Sequence, residues 1–576
     1  MIKQLLFLIP VAIGACACSS QAISNETYCN PLNLDYTYMI YNAARGISYR
    51  SGADPAVVRF RDKYYMFVTR SLGYWQSDDL VSWTFIKPGT NWYPQGCNAP
   101  AAHNYRDSLL FVCGDPSGSM SVLYSDNPSS GNWEATPAIL NNLQDPDLFI
   151  DDNGDAYMYW GSSNKYPIRG VRLNRKHMFI QEGEKTELFN LNPELHGWER
   201  FGENHTDTLQ SGYIEGPWMT KYNDKYYLQY AAPGTQFNVY ADGVYVSDNP
   251  LGPFSYQEHN PVSYKGGGYM NGAGHGSTVQ TADGQYWHFA SMSFPVNMIW
   301  ERRLCMFPSF FDKDGIMYCD TRFGDYPHYT PSHTHEHSSF RGWMLLSYRK
   351  NVTASSKMEG FPCSGITDEN SSTYWVAQSN NDNQWVCIDL DDVSTVRAIQ
   401  INYNDFQSDM YGRYPNLRHR YEILSSADGR RWKRVIDKRN NRKDVPNDYV
   451  ELPSPVEARY IKFRNVEVPT PNLSVSAIRV FGNGHGEKPA VVSRVSADRR
   501  KDSREVSLSW IPSDGAQGYN VLWGIAPDKL YSSWMVYGND CKHINRSLTK
   551  GQTYYFAVEA FNENGVSGVS PVIKVE

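Results

Sequence analysis

DPAVVRFRDKYYMFVT, from Asp54 to Thr69, decides the fold, because four later stretches repeat its plan. They are APAAHNYRDSLLFVCG from Ala99, DPDLFIDDNGDAYMYWG from Asp145, EGPWMTKYNDKYYLQYA from Glu215 and HGSTVQTADGQYWHFAS from His275. Each runs as a short apolar strand, a polar turn and an aromatic-rich strand. The turns (Arg61-Asp62-Lys63, Arg106-Asp107, Asp152-Asn153-Gly154, Asn223-Asp224-Lys225 and Ala282-Asp283-Gly284) read as hairpins. VLYSDNPSSGNW (Val122 to Trp133) and VYVSDNPLGPF (Val244 to Phe254) continue into further strands. Repeats of roughly 40–60 residues with several strands apiece are the signature of β-propeller blades. Five of them predict a small, closed propeller.

The innermost strands of a propeller line its central channel, so equivalent positions on successive blades face one another. Asp54, Asp145, Glu215 and His275 open their repeats and are expected to converge in one pocket. Carboxylates gathered this way repel, and burial raises the cost of ionising all of them; their pKa values are pushed apart, which separates an acid from a base.

Composition fits a soluble all-β protein. Aromatic residues make up 14%, with 41 Tyr and 16 Trp, side chains that stack on sugar rings but also fill β cores. A chain of 576 residues exceeds one hydrophobic core, so several domains are expected. The net charge of -7 is mild for that length and disfavours a nucleic-acid partner.

Residues 1–20 read as an export signal. Lys3 precedes LLFLIPVAIGA, too short for an ordinary membrane span. Ile13-Gly14-Ala15-Cys16 resembles a bacterial lipobox, with Cys18 as the competing lipidation site. The expectation is a periplasmic or outer-membrane lipoprotein of a Gram-negative bacterium, touching the membrane only through its lipid. Cys29, Cys97, Cys113, Cys305, Cys319, Cys363, Cys387 and Cys541 lie beyond the signal, without a zinc-type CxxC. Cys305 with Cys319, and Cys363 with Cys387, read either as structural pairs or as free buried thiols.

The repeat pattern stops near residue 330, at PHYTPSHTHEHSSFRGW. His328, His333, His335 and His337 there read as metal ligands or as an exposed connector. Strand alternation resumes from Ser347 to about Gly484, and a third unit follows from about Pro489. The fold class is therefore all-β, a five-bladed β-propeller followed by two β-sandwich domains. The expected boundaries are 33–345, 346–485 and 488–576.

These stretches carry resemblances. Asn33 to Leu345 resembles the five-bladed catalytic domain of glycoside hydrolase family 43, inverting enzymes that act on arabinose-, xylose- and sometimes galactose-containing plant polysaccharides. The resemblance implies Asp54 (in SGADPAVV) as general base, Asp145 (in DPDLF) as pKa modulator, Glu215 (in YIEGPW) as general acid, and His275 (in GAGHGSTV) as the axial histidine that holds a calcium ion or an ordered water. The second unit resembles a discoidin-type (factor 5/8 C-terminal) module, in VTASSKMEGFPCSGITDENSSTYWVAQ, QWVCIDLDDVSTVRAIQI, ARYIKFRNVE and SVSAIRVFG; its loop at Asp368 then implies calcium, against a solvated turn. VSLSWIPSDGAQGYNVLWG and TYYFAVEAFNENGVSGVSPVIKV resemble a fibronectin type III module.

The implied function is an exo-acting α-L-arabinofuranosidase or β-xylosidase, with galactosidase activity as a further option. A non-catalytic glycan-binding surface lipoprotein is the alternative. Inversion needs carboxyls about 6.5–9.5 Å apart, retention about 5–5.5 Å. Alternation along DPDLFID leaves Asp147 as a rival to Asp145, with Asp151 a second, while Asp152 and Asp155 read as turn residues. Arg302 or Arg303 reads as a sugar contact or an exposed salt bridge. The insertion Glu182 to Ser211 is expected to wall the pocket.

Overall fold

The computed structural model describes residues 26–42, 46–89, 91–92, 97–114, 119–141, 143–174, 176, 180–294, 297–334 and 339–576. The leader with Cys16 and Cys18, and also His335 and His337, lie outside them. Among the described residues no helix is long and apolar enough to cross a membrane.

Each repeat becomes the first two strands of an antiparallel sheet. The first sheet runs Ala56–Phe60, Lys63–Phe67, Tyr74–Ser77 and Thr84–Ile86 in spatial order. Two further four-stranded sheets begin with Asn98–Tyr105 and Asp147–Ile150, and the last two repeats, whose first strands are Ile214–Tyr222 and Asn271–Gln280, share one nine-stranded sheet joined where Ala241 meets Ala273 in parallel. These five first strands touch in a closed cycle, the last returning to the first, and so surround a common axis. The turn residues explain the tight hairpins. Tyr222 pairs with Lys225, and both residues between them, Asn223 and Asp224, take positive φ, as a type I′ turn requires.

Most of the aromatic residues are core. Phe67, Tyr74, Trp92, Phe111 and Trp133 form one contiguous ring cluster between the first two sheets. Trp75, Trp198, Trp287 and Trp375 are fully buried.

In the second unit two long strands, Trp385–Tyr403 and Asn447–Glu467, lose register midway and fold the sheet into two layers around Val386, Ile399, Ile423, Ile461 and Phe463. The third unit packs Ser496–Arg499, Val506–Ser509 and Lys542–Asn545 against the sheet of Gly518–Gly524, Ser532–Tyr537 and Tyr554–Asn562. Trp510 meets Tyr519 edge-on in that core, at 5.3 Å between ring centroids.

The three units are locked together. Lys265–Gly266, from the propeller, pairs in parallel with Ser533–Trp534 of the third unit. Arg479 of the second unit pairs with Glu369 at 2.9 Å and donates to the carbonyl of Asp325, which lies near Lys265. Tyr537 of the third unit donates to the same Glu369 at 3.2 Å. The insertion Glu182 to Ser211 makes contacts of a different kind from the expected pocket wall. Gly197 N donates to Leu548 O, and Arg200 pairs with Asp502 and Glu505, so this stretch docks the third unit against the propeller.

Cys97 and Cys113 form a disulfide, a pair the spacing did not single out. Cys305, Cys319, Cys363 and Cys387 are free thiols. Cys319 lies opposite Ser309, four residues along the strand from Cys305 and so roughly 13 Å away, beyond disulfide reach. Cys363 instead points its thiol at the carbonyl of Val352.

Candidate active site

The inner strands are entered through strained backbone. Asp54, Ala99, Asp145 and His275 take left-handed φ of 55°, 41°, 49° and 51°. Such residues cost on the order of 1–3 kcal/mol each and need outside support. The support comes from neighbouring blades: Asp54 N donates to Ser291 Oγ, Ala99 N to Thr69 Oγ1, and His275 N to Asp242 Oδ1. In the fourth repeat the left-handed residue is Gly216, at φ 60°. Glu215 therefore stands one position earlier than the register of the sequence implied.

The structure brings Asp54, Asp145, Glu215 and His275 together. His275 Nδ1 lies 3.4 Å from Asp54 Oδ1 and 3.9 Å from Asp145 Oδ2. Burial alone would lower the proton affinity of His275, but Asp54, Asp145, Glu215 and Asp242 outweigh it and raise its pKa. Asp54 Oδ2 accepts from Thr69 Oγ1 at 2.5 Å, and its Oδ1 faces Arg302 Nη1 at 3.7 Å as well as the imidazole. Glu215 is dressed differently. Its Oε1 accepts from Tyr240 Oη at 2.6 Å and its Oε2 from Ser162 Oγ at 3.1 Å, two neutral hydroxyls rather than cations.

Asp145 joins the two sides, because it also bonds to Ser162. Burial pushes its carboxyl up to about 7; His275 opposes the shift, and Glu215 and Asp54 add to it.

Asp147 leaves the contest. Asp145 lies ahead of the strand, in left-handed backbone, so the alternation that made the two equivalent does not reach it. Asp147 Oδ2 accepts from Met219 N at 2.8 Å and ties the third blade to the fourth, with its carboxyl raised to about 7 by burial. Asp151 and Asp152 pair with Lys221, and Asp155 with Arg172, away from the cluster. Arg303 is buried and donates to the carbonyl of Arg50. Arg302 is no surface salt bridge: its side chain is 14% exposed, and its guanidinium reaches Asp54 and Thr235 Oγ1.

Sequence reasoning passed over Thr69, Ser162, Tyr240 and Asp242. Thr69 closes the same repeat that Asp54 opens, which is the one signal it carried. Tyr49 was also missed. It is buried close to Arg302, Glu301 and Arg70; burial raises its phenol pKa and Arg302 opposes the shift.

Calcium demands six to eight oxygen ligands at 2.3–2.6 Å. His275 offers a nitrogen turned toward two carboxylates already engaged with it, a donor set that does not fit such a cage. At Asp368 the carboxylate accepts from Asn370 N and Thr373 Oγ1, the pattern of a closed polar turn. His328 is buried between Ser339 Oγ and the Phe323 carbonyl, and His333 bonds Thr330 and Ser332. Among the described residues no three His, Cys, Asp or Glu side chains are grouped to hold a metal.

Residues 45–317 match the family model described as Glycosyl hydrolases family 43, and residues 351–478 match the F5/8 type C domain. A xylan 1,3-beta-xylosidase of a Vibrio species is 27% identical over 266 residues, 41% of this chain and 46% of the relative. An arabinoxylan arabinofuranohydrolase of Paenibacillus polymyxa is 24% identical over 283 residues, 39% of this chain and 43% of the relative. The matched stretches span under half the length of these two relatives. A crystal structure of a thermostable family-43 glycoside hydrolase is 20% identical, with 53% of this chain and 99% of that one covered, at a TM-score of 0.43. The stretch that holds the carboxylate cluster thus matches the Glycosyl hydrolases family 43 model, and a match to the F5/8 type C domain follows it along the chain.

Proposed function

We propose that this protein is an inverting glycosidase that hydrolyses O-glycosyl bonds in the side chains of plant polysaccharides, as an exo-acting α-L-arabinofuranosidase or β-xylosidase. The observation that carries the reading is the unlike dressing of two carboxylates in one channel. Asp54 faces an imidazole and a guanidinium, whereas Glu215 faces two hydroxyls. A carboxylate among cations suits a general base that takes a proton from water. A carboxyl held by neutral hydroxyls suits a general acid that hands a proton to the leaving oxygen. Asp145, which bonds Ser162 beside the acid and whose carboxyl burial pushes up to about 7, holds a proton in the same pocket near neutral pH. Arg302, whose guanidinium reaches Asp54 and Thr235 Oγ1 and whose side chain keeps 14% exposure, is placed to bind a substrate hydroxyl.

The names of the matched relatives, a xylosidase and an arabinofuranohydrolase, support a pentose substrate. We assign residues 33–345 to the catalytic propeller, 346–485 to the discoidin-like unit and 488–576 to a fibronectin type III-like spacer. Export as a lipoprotein is in keeping with the Cys97–Cys113 disulfide, a bond that persists in oxidising compartments.

The test is sugar release from aryl arabinofuranosides, xylosides and galactosides and from arabinoxylan, with wild type beside Glu215→Gln, with and without EDTA. The expected result is release that Glu215→Gln abolishes and EDTA leaves unchanged, with the product anomer inverted by NMR. Glycan binding without release from any substrate would favour a binding protein instead.

A further inference from the structure

The strand pair Thr37–Asn42 and Ile47–Ser51 leads directly into Asp54 and belongs to two worlds. Its register sets Tyr38 opposite Arg50 and Met39 opposite Tyr49. Opposed residues share a face, and successive residues alternate between faces. On one face, Arg50 Nε meets Asp405 at 2.8 Å and its terminal nitrogens clasp Asp444, while Tyr38 Oη also donates to Asp405. Ser48 adds two bonds to Ser408, at 2.7 and 2.9 Å. Asp405, Ser408 and Asp444 all belong to the second unit, so this face is clamped to it.

The other face carries Tyr49, close to Arg302 and Arg70, at the edge of the carboxylate cluster. The second unit extends that face. Tyr38 and Gly412 exchange both backbone hydrogen bonds at 2.9 Å, an isolated antiparallel bridge that sets the 411–413 stretch along the edge of Thr37–Asn42. Tyr411 then comes level with Met39, which is level with Tyr49. Thr37, on the same face two residues before Met39, donates through Oγ1 to the carbonyl of Ser71, in the rim loop that begins at Thr69, the partner of Asp54. Exposure rises along the row, from 9% at Tyr49 through half-buried Met39 to 64% at Tyr411. Asn297 of the fifth-blade rim reaches Asn404 of the same second-unit loop at 3.2 Å.

We propose that the row Tyr49, Met39 and Tyr411 is a subsite for the sugar rings of the polysaccharide next to the one held in the pocket, with Tyr411 of the discoidin-like unit as its outer stacking face. The ligand class is a neutral glycan chain, whose C–H ring faces suit a phenol ring. This subsite rests on the glycosidase reading. The F5/8 type C unit is on this account part of the substrate cleft and not a separately tethered binding module.

The test compares wild type, Tyr411→Ala and Tyr411→Phe on the aryl monoglycoside that wild type cleaves and on the matching polysaccharide. Tyr411→Ala should raise KM for the polysaccharide roughly three- to tenfold, in line with the worth of one aromatic stack, and leave KM for the aryl glycoside, kcat and Tm unchanged. Tyr411→Phe should keep wild-type values on both. Equal KM for Tyr411→Ala and wild type on the polysaccharide, or a parallel change on both substrates with a lowered Tm, would overturn the subsite while the glycosidase stands. A wild type that releases sugar from nothing overturns the glycosidase reading and the subsite with it.

Discussion

Gly216 shows how a single missing carbon shapes the pocket. A Cβ built there would stand 2.5 Å from His275 Cδ2, and its backbone sits at φ 60°, where a side chain is strained in any case. Gly216→Ala should therefore push the imidazole off the Asp54–Asp145 axis. The expected outcome is a fall in kcat/KM of about tenfold or more, about 1.4 kcal/mol of transition-state binding. Steady-state kinetics on the best aryl glycoside checks it. At this scale the sequence was legible where chemistry is written as residue type: Asp54, Asp145, Glu215 and His275 do meet. It was harder to read where a role depends on backbone. Glu215 reads in register with Asp54, yet the left-handed position belongs to its neighbour, and the one sign of it in EGPW is that this neighbour is a glycine.

Among elements, the repeats announced themselves because apolar alternation and turn residues recur together, and all five hairpins form where the turns were read. The strand pair 37–51 did not announce itself. Its two faces serve different units, so neither shows the plain apolar-in, polar-out alternation that betrays a half-buried strand. The disulfide was equally hidden, since Cys97 and Cys113 become neighbours only when the second blade's first two strands pair. That bond closes a 16-residue separation beside the rim, where Arg70 N donates to the Cys97 carbonyl. Cys113→Ser should cost about 3 kcal/mol by loop-closure entropy, read as a lowered denaturant midpoint. Treatment of wild type with a reductant should reproduce the loss.

Over the whole molecule, buried ionisable groups set the pH at which the fold holds. Asp145, Asp147 and Glu301 are pushed up to about 7 and Glu199 to about 8, each mainly by burial. Acids with raised folded-state pKa values contribute their stability at low pH and lose it as pH climbs through those values. Burial drives His196 and His259 down to about 4 and His205 and His543 to about 3. These keep the fold stable above the ordinary imidazole pKa and weaken it as pH falls below that value. The two sets offset one another between roughly pH 4.5 and 6.5; above that only the acids titrate, at up to about 1.4 kcal/mol per pH unit for each. Calorimetry should find Tm lower at about pH 8 than at about pH 6.

The parallel pairing of Lys265–Gly266 with Ser533–Trp534, set beside the Arg50 clamp, has a mechanical meaning. Modules strung on slack linkers search for a polymer independently and gain from each other through effective concentration. Here there is no slack to spend. A glycan that engages both the pocket and the second unit meets a fixed gauge, and only chains whose own bend and branch spacing match that gauge can fill it. Selection by shape then takes the place of selection by tethering.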